Sequence, residues 1–230
     1  MDVDRSQRGK FFLCNRLTFL LSSIANTLMP YSAFTSVSQV KKAFGLTTKE
    51  GDRFIPIDLA PITPDIILTG FLKRTLGLAT VTGSEKARSE MIVAPILVEV
   101  REILEQKIAL FSGEDFTVDA SVGLNGICDF LISRSPELYT IESPVVVLVE
   151  AKKADLKLGV PQCMAEMVAA ARFNSENDAS IKTIYGCVTS GTLWRFLKLE
   201  GNVVTIDLAD YPLEPIDRLL AMLVWMVTAG

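Results

Sequence analysis

A carboxylate and an ammonium two residues apart, at the end of an apolar run, are the groups of this chain best placed to do chemistry. The run is Val145, Val146, Val147, Leu148 and Val149, and it leads into Glu150, Ala151 and Lys152. So many β-branched residues in succession read as a strand covered on both faces. Side chains at i and i+2 of a strand share a face, so Glu150 and Lys152 stand side by side at its end. A second apolar run upstream, Ile127 to Ile132, carries a single acid, Asp129, in its middle. A charge on a core strand is costly unless it is paired or bound to a metal. Between the runs, Ser135-Pro136-Glu137 and Glu142-Ser143-Pro144 supply turn chemistry. A hairpin there sets Asp129 across from Glu150, and two facing carboxylates repel unless a cation lies between them. The plainer reading is that Glu150 and Lys152 mark the strand's exit from the core while Asp129 faces a loop.

Composition narrows the chemistry further. The chain has 230 residues and is 49% hydrophobic, enough for one substantial core. Its 23 basic and 27 acidic residues give a net charge of −4, so no global basic field advertises nucleic acid, although a locally basic groove remains compatible. Histidine is absent. That removes Ser-His-Asp triads, Cys-His pairs, His-ligated zinc hydrolases and histidine nucleases. Hydrolysis, if the chain performs it, must use carboxylates, lysine and a hard metal ion. A Gly-x-x-x-x-Gly-Lys-Ser/Thr loop is also missing, which argues against a Walker-type NTPase. Cys14, Cys128, Cys163 and Cys187 are scattered, three of them in apolar runs. They read as free thiols in a reducing, cytoplasmic setting rather than as disulfides or zinc ligands. The apolar stretch Leu17–Met29 follows Arg8, Lys10 and Arg16, as a secretory signal would. Asp2 and Asp4 before it, and no small-residue cleavage site after it, argue otherwise. It is too short to span a bilayer, as is Leu219–Val227.

The elements that must position these groups follow from pattern. Residues 1–60 have no sustained period and read as an N-terminal helical segment of unassigned role. Thr63-Pro64-Asp65 opens a helix from Asp65 to Gly77. Thr82 and Glu85 fit a capping box, starting a helix that runs to Ala109 with a kink or break at Pro95. Strands are expected at Phe116–Val122, Gly126–Ile132 and Val145–Ala151. A helix then starts at Gly159-Val160-Pro161 and carries a core stripe of Met164, Met167, Val168 and Ala171. Strands Thr183–Thr189, Leu193–Leu199 and Val203–Leu208, and a helix Pro215–Val227, complete an α/β domain with a mixed sheet between helices.

A helix bearing an acid, a strand Asp, a strand Glu-x-Lys and a helix with Gln in its first turn together resemble the PD-(D/E)XK nuclease superfamily. The resemblance covers roughly residues 80 to 210, and the bare motif is short enough to arise by chance. Gly126 to Ile132 resembles the strand that carries the family's first metal ligand, and Pro161-Gln162 lies where many members place a helical Gln. Ser84-Glu85, ending at Pro95-Ile96-Leu97, and the stretch Val188 to Phe196 are similar to the endonuclease domain of type I restriction motor subunits. Cys128 stands where the motif's name has Pro. The resemblance implies a restriction-endonuclease-like mixed sheet flanked by helices over residues 61–230, with an extra helical segment over 1–60.

It also implies a metal-dependent phosphodiesterase, endonuclease or exonuclease, acting on nucleic acid, DNA ahead of RNA. Asp129, Glu150 and the Ala151 carbonyl would hold Mg²⁺ or Mn²⁺. Lys152 would orient or deprotonate the attacking water, or neutralise the transition state. Glu85, with Glu90 as its rival, would supply the helical acid and hold a second metal or its water shell. Gln162 would position the lysine or a backbone phosphate. Trp194 reads as core rather than as a base-stacking residue, and Lys153 as solvated or paired. No membrane partner is implied, and a homodimer is left open. The alternatives are a non-catalytic domain that keeps this fold to bind nucleic acid or protein, and a phosphohydrolase acting on nucleotides.

Overall fold

The computed structural model describes residues 30–51 and 53–229. Its strands are β1 (Thr47–Glu50), β2 (Ala109–Asp115), β3 (Ile127–Ser133), β4 (Val145–Ala151), β5 (Thr183–Thr189), β6 (Leu193–Glu200), β7 (Val203–Ile206) and β8 (Tyr211–Pro212). They form one sheet in the order β1-β7-β6-β5-β4-β3-β2, with β8 beside β6. The sheet is mixed: β4 pairs parallel with β5 and β1 with β7, and the other neighbours are antiparallel. Helices α1 (Val37–Phe44), α2 (Ile66–Thr82), α3 (Glu85–Arg88), α4 (Ala94–Ile103), α5 (Val160–Glu176) and α6 (Ile216–Ala229) cover its faces. Among the described residues no helix is long and apolar enough to cross a membrane.

Strand periodicity sorts the core into two layers. Phe130 and Ile132 of β3, with Val147 and Val149 of β4, pack under α2, α4 and α6 through Leu72, Ile96, Leu97, Leu220 and Met226. Leu131 and Leu148 face the other way, onto Cys163, Met164 and Met167 of α5 and onto Tyr31 and Val40. All seven residues of β4 are buried, as its unbroken apolar run requires. Asp129 shares the parity of Leu131, and Glu150 and Lys152 share that of Leu148, so all three belong to the α5 face.

Local chemistry sets the helix ends. Asp65 caps α2, its Oδ1 accepting from Ile67 N at 2.7 Å. Helix α2 runs on to Thr82, and Gly83 closes it in the left-handed region at φ 63. The capping box expected at Thr82 with Glu85 is therefore not formed: the N-cap is Ser84, whose Oγ accepts from Ala87 N at 3.0 Å, and N3 is an alanine. Between α3 and α4 the chain makes one π turn, Ser89–Val93. Pro95 lacks an N–H, so the carbonyl of Met91, four residues back, has no helical donor. The Thr75 hydroxyl of α2 donates to it instead, at 2.9 Å. Pro95 thus produces the expected break, as a π turn rather than a kink.

Three further expectations shift. The helix expected to reach Ala109 ends at Ile103, because Glu105 and Gln106 take positive φ and Gln106 N bonds back to Arg101 O at 2.9 Å. The strand expected at Phe116–Val122 lies earlier, at Ala109–Asp115, where it pairs with β3. Residues 30–60 are not purely helical, since β1 extends the sheet as a parallel edge strand beside β7. The apolar stretch Leu17–Met29 and Cys14 lie outside the described residues. Cys128, Cys163 and Cys187 are free and buried.

At the start of β4 a side chain replaces a strand. Asn174 of α5 is buried; its Oδ1 accepts from Val145 N at 2.8 Å and its Nδ2 donates to Val145 O at 2.7 Å. Asn174→Leu strands both backbone groups in the core and is expected to lower stability by about 2 kcal/mol. Urea denaturation of the variant against wild type checks this.

Candidate active site

The β3–β4 pairing fixes the centre. Phe130 lies opposite Val149, and one further step along the same antiparallel register brings Asp129 level with Glu150. Asp129 Oδ2 accepts from Ala151 N at 2.8 Å, which ties the acid to the end of β4. Glu150 is 1% exposed, and its Oε1 is ion-paired with Lys152 Nζ. The same ammonium lies 3.9 Å from Glu85 Oε1, the first residue of α3. Gln162, in the first turn of α5, donates from Nε2 to Glu150 Oε2 at 2.9 Å. The five side chains proposed from the sequence, Glu85, Asp129, Glu150, Lys152 and Gln162, therefore converge at the C-terminal end of β4.

Glu90 does not join them. It pairs with Lys86 at 2.9 Å on the exposed side of the helix, the i,i+4 contact expected once Glu85 faces inward. Gln162 reaches Glu150 rather than Lys152. Trp194 is fully buried and donates from Nε1 to Gly191 O at 3.0 Å, so it is core. Arg195 forms a two-pronged pair with Asp210, at 2.8 and 3.0 Å. Lys153 is exposed.

One member was missed. Glu166 sits one helical turn after Gln162, is 0% exposed, and accepts from Gln162 Nε2 through Oε1 at 3.1 Å. Its Oε2 is buried with no hydrogen-bond partner. The available signal was the i,i+4 spacing of two polar residues on a helix whose apolar stripe faces the sheet.

The electrostatics follow from this crowding. Burial pushes Glu150 up to about 8, and the charge of Asp129 adds to it, while Lys152 pulls the other way. Burial also raises Asp129, against the Ala151 N–H and Lys152 that favour its ionised form. Glu166 lies well above the usual carboxylate range, again through burial first and Glu150 second. Burial alone would lower Lys152, but Glu150, Glu85 and Asp129 outweigh it and hold the ammonium above its ordinary value. One lysine thus faces an excess of acids, the imbalance a bound cation relieves.

The donors suit a hard cation in kind, being carboxylate oxygens. Among the described residues, no three Cys, Asp or Glu side chains are gathered into a metal-holding group. Asp129, tied to the Ala151 N–H, and Glu150 are the carboxylates the site sets at the end of β4.

Lys152 is also seated by shape. A Cβ on Gly159 would lie 3.0 Å from Lys152 Cγ, 3.2 Å from its Cε and 2.6 Å from Val188 Cγ1. Gly159 has an ordinary backbone conformation, φ −85 and ψ −20, so only this close approach demands glycine there. Gly159→Ala should displace the buried Val188 side chain first and the lysine stem second, lowering stability and reducing any activity at the site by about tenfold. Wild-type rates in that variant would show that the stem's seat does not matter.

Searches of protein-family models, curated proteins and solved structures found no match to this chain.

Proposed function

We propose that this chain is a Mg²⁺- or Mn²⁺-dependent phosphodiesterase acting on nucleic acid, DNA in the first instance, on a restriction-endonuclease-like fold of the PD-(D/E)XK kind. One observation carries the reading: the Asp129 carboxylate is held on the Ala151 N–H beside Glu150, with the Lys152 ammonium paired to Glu150 and Glu85 beside it. Acids and a lysine at the carboxyl end of a parallel-paired strand lie where open α/β sheets carry out their chemistry.

Asp129, Glu150 and the Ala151 carbonyl would hold the cation. When bound, it supplies an acidified water and positive charge for the phosphate oxygens. The protein's own groups do the rest. Lys152 holds a proton and a charge where the phosphate would enter. Gln162 fixes the second oxygen of Glu150 and leaves the first to Lys152. Glu85, half exposed at the mouth, orients the ammonium from the solvent side.

The test is cleavage of single-stranded, duplex and branched DNA and of RNA by the purified chain, with Mg²⁺ or Mn²⁺ and with a chelator. Metal-dependent cleavage that a chelator abolishes is expected. No cleavage of any of the four, together with no calorimetric binding of either metal, would overturn the reading in favour of a non-catalytic binding domain.

A further inference from the structure

Resting on the hydrolase reading above, we propose that Glu166 is a positioning residue, which holds the Gln162 amide in the one orientation that serves Glu150. The two carboxyl groups share one amide nitrogen. Gln162 Nε2 donates to Glu150 Oε2 at 2.9 Å and to Glu166 Oε1 at 3.1 Å. An NH₂ group has two hydrogens, so both are committed, and no donor is left over. Turning the amide over would point its oxygen at two carboxyl groups. Glu166 thereby sets which end of Gln162 faces the site.

The placement excludes a direct role. Glu166 is 0% exposed and lies on the inner side of α5, so no polymer substrate reaches it. It is a poor candidate for a charged element as well. A carboxylate whose second oxygen is buried without a partner would be an uncompensated charge in the core, which is far costlier than a neutral acid. A neutral acid accepts through its carbonyl oxygen as a primary amide does. Glu166→Gln should therefore preserve the arrangement, whereas Glu166→Met, of similar length, removes the acceptor. A charged role would make both replacements equally damaging, and a packing role would make neither damaging.

The Gln162 side-chain NH₂ protons give a readout in the metal-free protein, followed by hydrogen exchange in nuclear magnetic resonance. Both should be protected in wild type and in Glu166→Gln, and at least about tenfold less protected in Glu166→Met. In cleavage assays Glu166→Met should lower kcat by about 10- to 100-fold, the usual range for a group supporting a ligand, with KM unchanged, and Glu166→Gln should restore it. In a Gln162→Ala background Glu166→Met should have no further effect, because it acts through the amide alone. Freely exchanging Gln162 protons in wild type, or equal rates in wild type and Glu166→Met, would overturn the proposal. The wild-type exchange measurement stands even if the methionine variant does not fold. Absence of cleavage by wild type sinks the hydrolase reading, and the amide protons then decide the positioning by themselves.

Discussion

Lys152→Met is expected to lower metal-dependent phosphodiester cleavage by about 10²–10⁴-fold, the range for removing a positioned proton-transfer or charge-stabilising group. Methionine keeps the stem that lies over Gly159 and deletes the ammonium. That ammonium is the only cation paired with Glu150 or Glu85 among the described residues. The chain should still fold. Removing one partner of a buried ion pair ordinarily costs about 3–5 kcal/mol, because the other charge is stranded. Glu150 has an escape, since it is already pushed up to about 8 and can take up a proton instead. The loss of stability should therefore be small at pH 5 and larger at pH 8. Cleavage rates with both metals, beside urea denaturation at the two pH values, check this. A folded Lys152→Met protein that cleaves at the wild-type rate would remove the lysine from the mechanism.

The site was legible in the sequence because its charged residues interrupt patterns that are otherwise rigid. A strand has a period of two, so an acid in Ile127–Ile132 and a Glu-x-Lys after Val149 could face only a few ways. Pairing of β3 with β4 then decided the outcome. Glu85 was distinguished from Glu90 even though the cap was misplaced. The sequence pattern places the cap at Thr82, but Gly83 ends α2 in the left-handed region, so the next helix can be capped only from Ser84. The five-residue spacing of Glu85 and Glu90 does not depend on the cap, so Glu85 still faces Lys152 while Glu90 pairs with Lys86 outside.

Elements that lack a one-sided pattern were harder to place. In β1, Thr47–Glu50 has no large apolar residue, as an exposed edge strand needs none. Ala109–Asp115 begins as an apolar run that extends a helix equally well, and its strand character comes from pairing with β3. Glu166 was hidden for a different reason. A stripe of Met and Ala marks α5 as a core helix, and a buried acid within such a stripe makes sense only once Gln162 and Glu150 are seen beside it.

The acids' shared burial predicts that this protein loses stability as the pH rises through neutrality. Glu150 has an ordinary value of 4.5 and lies at about 8 in the fold. Between those values the folded chain holds a proton that the unfolded chain has released. Stability falls with rising pH wherever the folded state binds more protons. The contribution is therefore intact below pH 4.5, declines through the window to about 8, and is fully lost above it. Each tenfold change in proton affinity is worth about 1.4 kcal/mol, so this residue contributes an effect on the order of 5 kcal/mol. Asp129 and Glu166, both raised by burial, act in the same direction. Urea denaturation in a chelator should show wild type losing stability from pH 5 to pH 8, with Glu150→Gln, which cannot ionise there, losing markedly less. Adding Mg²⁺ or Mn²⁺ should restore wild type more at pH 8 than at pH 5, because the ionised carboxylates are the ligands and protons compete for them. A flat wild-type profile would show that Glu150 is already ionised at pH 5, with Lys152 alone sufficient to hold its charge. The acids would then lack the imbalance that makes this site a place for a cation.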